Sequence, residues 1–186
     1  MLGGSHLPRA TLVLGGARSG KSGYGEGLIL ATQPARPLYI ATGQALDDEM
    51  AERIRHHRQS RTAIWETLEE PLDLSGALTA HRDRAILVDC LTLWLTNLLV
   101  AEKDVAAERD RLVATVAGLA GPVALIANEV GLGIVPDNAL ARRFRDEAGW
   151  LNQALAQVCD SVIFMAAGLP MVMKGETTIA ASGPTR

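Results

Sequence analysis

The sequence has only two cysteines in 186 residues, Cys90 and Cys159. They stand far apart and outside any metal-ligand spacing. That excludes a disulfide framework and a cysteine zinc site, and leaves buried or free thiols of a reducing compartment. Net charge is scarce as well: 18 Lys and Arg against 21 Asp and Glu leave −3. Without a basic excess, nucleic acid is not expected as the main partner. The opening MLGGSHLPRA has no apolar stretch of the secretory kind, so a cytoplasmic location is expected. Nor is there a run of the roughly 20 apolar residues that a bilayer requires. The nearest, AILVDCLTLWLTNLLVA over 85–101, is interrupted by Asp89, Thr92, Thr96 and Asn97. It reads as a buried strand entering a buried helix. Internal repeats and linkers are absent too, so 1–186 is expected to form one domain, with 1–9 and 176–186 as loose ends.

What is present is alternation. With 48% hydrophobic residues a sizeable core is available. The apolar runs TLVLG (11–15), PLYIAT (37–42), AILVD (85–89), PVALIAN (122–128) and SVIFMAA (161–167) read as strands, and AIWETLE (63–69) as a weaker one. They are continuous rather than alternating, as a sheet covered on both faces requires. Helical patterns fall between them at 21–32, 47–60, 72–81, 91–101, 104–119 and 138–159. This order predicts an α/β domain with a mostly parallel sheet flanked by helices.

The most specific motif is GGARSGKS, residues 15–22, which matches the phosphate loop G-x-x-x-x-G-K-[ST] with a strand before it and a helix after it. Gly15, Gly16 and Gly20 let the backbone turn successive N–H groups, across Ala17, Arg18 and Ser19, onto phosphate oxygens. Lys21 is expected at the β- and γ-phosphates and Ser22 on Mg²⁺, with the helix N-terminus adding its dipole. The motif predicts a nucleoside-triphosphate site. The helix that follows carries Gly23, Gly25 and Gly27, each costing about 1 kcal/mol against alanine; close packing against a neighbour would account for them.

In an open parallel sheet, ligands sit beyond the carboxyl ends of the strands. There the sequence places Thr42, Gly43 and Gln44, then Asp47, Asp48 and Glu49. Beyond the later strands stand Glu69, Asp89, Asn128 and Glu129. Asp89 occupies the position of a carboxylate that holds Mg²⁺ directly or through water. Several such groups around one phosphate loop predict metal-assisted phosphoryl transfer.

Two of the four histidines are adjacent in MAERIRHHRQSR, residues 50–61. Neighbours on a helix point about 100° apart, so His56 and His57 are poorly placed to share a metal. A solvated basic face is one reading. The other is nucleophilic: Arg53, Arg55, Arg58 and Arg61 surround the pair, and nearby cations disfavour imidazolium. A neutral ring among phosphate-binding arginines suits a covalent phosphoramidate.

GGARSGKS, YIATGQALDDEMAERIRHHR, DCLTLWLTNLL and NEVGLGIVPDN together resemble the bifunctional adenosylcobinamide kinase / adenosylcobinamide-phosphate guanylyltransferase family, from residue 11 to about 174. The resemblance implies a RecA-like P-loop NTPase fold, a homotrimer, ATP or GTP as substrates with Mg²⁺, and adenosylcobinamide and its phosphate as acceptors. It implies that a nucleoside triphosphate phosphorylates adenosylcobinamide. GMP from GTP then passes through a histidine, which falls on His57, to give adenosylcobinamide-GDP in cobalamin biosynthesis. Lys21 would act with His57. Thr42, Gly43, Gln44, Arg58, Gln59, Ser60, Arg61, Glu69 and Asp89 would complete the nucleotide site. The glycine-rich first helix departs from the family pattern. Asn128-Glu129-Val130-Gly131 is not the guanine reader of GTPases, so guanine preference comes from the resemblance alone. Two other readings stand beside it: a small-molecule kinase with His57 structural, and a nucleotide-switched binding protein. Trp94 and Trp150 are candidates for a corrinoid surface or, more simply, for helix packing.

Overall fold

The computed structural model describes residues 8–44 and 64–175. The predicted helix 47–60 and the positions His56, His57, Arg58, Gln59, Ser60 and Arg61 lie outside the described residues. Seven strands form one sheet: β1 (Ala10–Gly15), β2 (Leu38–Ala41), β3 (Glu66–Glu69), β4 (Ile86–Asp89), β5 (Val123–Asn128), β6 (Ser161–Ala166) and β7 (Leu169–Lys174). Their order is β3-β2-β4-β5-β1-β6-β7. Every pairing is parallel except β6 with β7. The described helices are α1 (Lys21–Ala31), α2 (Leu74–Ala80), α3 (Leu91–Val100), α4 (Val105–Ala117) and α5 (Ala139–Val158).

The continuous apolar strands exist because both sheet faces are covered. Leu12, Leu38, Ile40, Val88 and Leu125 face one way, into a core closed by α2, α3, α4 and α5. Their strand neighbours Val13, Tyr39, Leu87, Ala124 and Ile126 face the other way, where α1 lies over β1, β4 and β5. The period-two alternation of strand side chains sends each run to both cores at once. Helix starts follow from local chemistry. Asp73, Asp104 and Asn138 each accept a backbone N–H from three residues on, satisfying donors that the first turn leaves unpaired. Trp94 is a core residue, 1% exposed, with its indole N–H donating to Leu72 O; Trp150 stands 54% exposed on α5.

The glycine-rich helix has a partial explanation. A Cβ on Gly25 would lie 2.6 Å from Ile126 Cδ1 and 2.9 Å from Leu87 Cδ1, so Gly25 is what lets α1 lie close on the sheet. Gly23 and Gly27 meet nothing within 4 Å, and packing does not account for them. Strand β7 is absent from the sequence reading. Pro170 weakens any strand pattern there, and the turn Ala167-Gly168 lacks the Asn-Gly signature of a tight hairpin although both residues have positive φ, 52° and 79°. The structure places β7 at the sheet edge, where proline is tolerated, with Leu169, Met171, Val172 and Met173 exposed.

The cysteines are free and buried. Desolvation pushes the Cys90 thiol up to about 11 and the Cys159 thiol up to about 12. Iodoacetamide at pH 8 should therefore leave both unmodified in native protein and alkylate both after unfolding, read by intact mass. For α1, Gly27→Ala should stabilise by about 0.5–1 kcal/mol through helix propensity. Gly25→Ala should destabilise by about 1–2 kcal/mol, because overpacking against Ile126 and Leu87 outweighs that gain. Urea unfolding checks both.

Candidate functional site

The site is built where the carboxyl ends of six parallel strands line up. Register pairs Glu69 with Ala41, Ala41 with Asp89, and Gly15 with Asn128 and Met165, so the predicted groups share one sheet edge. The phosphate loop leaves β1 at Gly15, where φ is 150° and any Cβ would strike Met165 O. Only glycine fits there. Arg18 (φ 54°) and Gly20 (φ 93°) take left-handed conformations, and Gly20 N-caps α1. Gly16, Ala17, Arg18 and Gly20 face solvent, while Ser19 and Lys21 are buried. Ser22, half-buried, stands in the first turn of α1.

Lys21 folds back onto this loop. Its Nζ donates to Gly16 O at 2.5 Å and to Ser19 Oγ at 3.3 Å. Burial lowers its pKa, an effect opposed by the Asp89 carboxylate. Asp89 ends β4, and β5 stands between β1 and β4, so two strand spacings put those backbones about 10 Å apart.

Asp89 is held from several sides. Tyr39 donates its hydroxyl to Asp89 Oδ2 at 2.6 Å. Thr42 donates its N–H to Asp89 O at 3.2 Å. The Thr42 hydroxyl donates to Cys90 O at 2.7 Å and accepts from Cys90 N at 3.0 Å, and Asn97 Nδ2 donates to Thr42 O and Pro71 O. Thr42 is fully buried, so its side chain is spent on fixing the turn after β4. Gly43 is half-buried and Gln44 exposed, at the end of the described segment. Glu69, exposed, stands four strand positions from β1, roughly 19 Å at the usual strand spacing. It is on the same edge but away from the loop.

Three supports escaped the sequence reading. Gly168 N donates to Ser19 O at 3.1 Å, so the β6–β7 turn braces the phosphate loop. Thr92 Oγ1 accepts the Asn128 N–H at 2.8 Å, tying α3 to the end of β5. Glu129 N donates to Gly15 O at 3.0 Å, fixing the loop's first residue. The Tyr39–Asp89 bond joins residues 50 apart. No local motif announces such pairs; they follow from strand order.

Among the described residues no cluster of three or more His, Cys, Asp or Glu could hold a metal unaided. The donor set at the loop still fits Mg²⁺. The cation favours hard oxygens, one or two from protein and the rest from phosphate and water. The Ser22 hydroxyl and Asp89 Oδ1 are such oxygens, and no described hydrogen bond occupies Oδ1.

The fold has a solved counterpart in the RadB recombinase, with a TM-score of 0.53 at 16% identity over 97% of this chain and 87% of that one. That likeness is one of fold. Sequence similarity is much closer to the bifunctional adenosylcobalamin biosynthesis protein CobP of Pseudomonas aeruginosa, 52% identical across 89% of this chain and 97% of the relative. The corresponding CobU protein of Salmonella typhimurium is 44% identical across 88% of this chain and 98% of the relative. The family model described as cobinamide kinase / cobinamide phosphate guanyltransferase matches residues 11–173. With a P-loop site in place and that match spanning nearly its whole length, the chain belongs to the cobinamide kinase / cobinamide phosphate guanyltransferase family.

Proposed function

We propose that the chain performs both reactions of its family on one corrinoid: phosphorylation of the adenosylcobinamide hydroxyl, then attachment of GMP to the phosphate just made. The observation that carries this is the phosphate loop with Lys21 buried against Gly16 and Ser19, two strands from Asp89 on the same sheet end, in a chain that also bears His57 among arginines. In the kinase step the hydroxyl oxygen attacks the γ-phosphorus of ATP or GTP. The bond between γ-phosphorus and its bridging oxygen breaks, the nucleoside diphosphate leaves, and the hydroxyl proton is released. The N–H groups of residues 16–22 and the dipole of α1 hold the phosphates. Lys21 exchanges its contacts with Gly16 and Ser19 for phosphate oxygens, stabilising charge as it develops. Ser22 and Asp89 would hold Mg²⁺, which when bound neutralises phosphate charge.

For the transfer, an imidazole nitrogen of His57 attacks the α-phosphorus of GTP. A P–N bond forms, the bond from α-phosphorus to its bridging oxygen breaks, and pyrophosphate leaves. A phosphate oxygen of the corrinoid then attacks the same phosphorus and restores the free histidine. Arg58 and Arg61 supply charge for the phosphates, with Gln59 and Ser60 beside them. Gly43, Gln44 and Glu69 serve the nucleoside end, and Thr42 acts through the turn it fixes. Chain length permits this arrangement: Ile64 follows His57 by seven positions, a reach of at most roughly 24 Å. Trp65 packs against Tyr39, so the segment returns beside the group that binds Asp89. Assembly as a cytoplasmic homotrimer completes the reading, and the exposed apolar side chains of β7 support self-association.

Incubation with Mg²⁺ and GTP labelled on the α-phosphate should leave acid-labile, alkali-stable label on the denatured chain. Label on the γ-phosphate should leave none, and His57→Ala should abolish the signal. Nucleotide binding without covalent label would make the protein a kinase alone. Lys21→Ala should lower kcat/KM of the kinase step by about 10²–10³-fold, the usual cost of losing a donor to developing oxyanion charge.

A further inference from the structure

Tyr39 opens the motif YIATG but lies outside the phosphate loop and is none of the site residues considered so far. It is the middle of β2, 1% exposed, between Leu38 and Ile40. Packing alone would be served by phenylalanine, yet the hydroxyl is present and aimed. Register sets Tyr39 beside Leu87 and Ala41 beside Asp89, so the ring reaches two residues along the sheet to the carboxylate on the neighbouring strand. The resulting contact, 2.6 Å to Asp89 Oδ2, falls in the range of charge-assisted O–H···O⁻ bonds. The ring is itself fixed, packed edge-on to Trp65 at 5.8 Å and 87°.

Asp89 has three oxygens, and the structure occupies two of them. Oδ2 takes the Tyr39 hydroxyl and the carbonyl takes the Thr42 N–H. Oδ1 has no hydrogen-bond partner among the described residues. A carboxylate pinned through one oxygen loses rotation about its last bond, so the direction of the other oxygen is set. Outer partners of this kind orient the ligands of a metal and raise its affinity.

We propose that Tyr39 is a positioning residue for the phosphoryl-transfer site: its hydroxyl fixes the Asp89 carboxylate so that Oδ1 is presented to the divalent cation of the bound nucleotide. The inference rests on the assignment of Asp89 to Mg²⁺ made above. Its action is indirect, through the carboxylate that its hydroxyl holds. Thr42 performs the matching task on the main chain.

The test is the coupling between metal and nucleotide. The affinity of a non-hydrolysable GTP analogue is measured in EDTA and in Mn²⁺ by calorimetry, for the full chain and its variants. Tyr39→Phe keeps the ring and its contact with Trp65, and thermal unfolding confirms the fold. The expected result is an unchanged affinity in EDTA and a Mn²⁺ enhancement reduced about 10- to 100-fold, the usual cost of losing the outer partner of a metal ligand. Kinase turnover should recover as Mg²⁺ is raised, while the KM for corrinoid stays constant. An unchanged Mn²⁺ enhancement, or an affinity lowered equally in EDTA and Mn²⁺, would overturn the proposal. Asp89→Asn separates the two layers. If it removes the enhancement while Tyr39→Phe does not, Tyr39 is only a core residue. If Asp89→Asn also leaves the enhancement intact, the assignment of Asp89 to the metal fails first.

Discussion

The buried ammonium of Lys21 is the constraint on which the rest of the site depends. A cation withdrawn from water is costly unless it is paired. Here the pairing comes from the Gly16 carbonyl, the Ser19 hydroxyl and the field of Asp89. Each requires a separate piece of the fold. The carbonyl must turn inward, which needs the loop geometry that Gly15 and Gly20 permit. The carboxylate must stand at the end of a strand two places away, which needs the order β4-β5-β1. The loop thus satisfies its own lysine through Gly16 and Ser19.

That arrangement is held from outside the loop. The β6–β7 turn donates to Ser19, Glu129 donates to Gly15, and α1 is drawn down onto β4 and β5 at Gly25. The bonds about Thr42 tie the end of β2 to the Asp89–Cys90 turn, and Asn97 carries the same connection to Pro71. Polar groups buried this deeply cost most when left half-satisfied. Thr42 and its partners therefore fix one arrangement of the sheet edge rather than merely tolerating it. The Asp89 carboxylate inherits its position from this framework.

The wider fold shows the same division of labour. α2 to α5 close one large core on one face of the sheet, whereas α1 alone among the described helices lies on the other. The catalytic edge sits above the second face, since Asp89 follows the alternation of Tyr39 and Leu87. Trp65 and Tyr39, in edge-on contact, form the wall at the point where the chain re-enters the sheet.

Local chemistry was readable from the chain itself. GGARSGKS announces a phosphate loop because its conformation is a property of eight consecutive residues. The five continuous apolar runs announce strands because burial on both faces shows directly in composition. Asp89 was identifiable as a carboxylate at a strand end, and Gly25 as a close approach, although Gly23 and Gly27 share its pattern without sharing its cause. Strand β7 was hidden because an exposed edge strand with a proline lacks the pattern that burial imposes. Family membership was legible for the same reason as the loop: its motifs are contiguous. Only the tertiary structure decided that Tyr39 meets Asp89, that Gly168 braces Ser19, and that Glu69 stands far from the loop it shares an edge with. Those relations depend on strand order and register, which are set by how two apolar cores pack against one sheet and leave no trace in any short stretch of sequence.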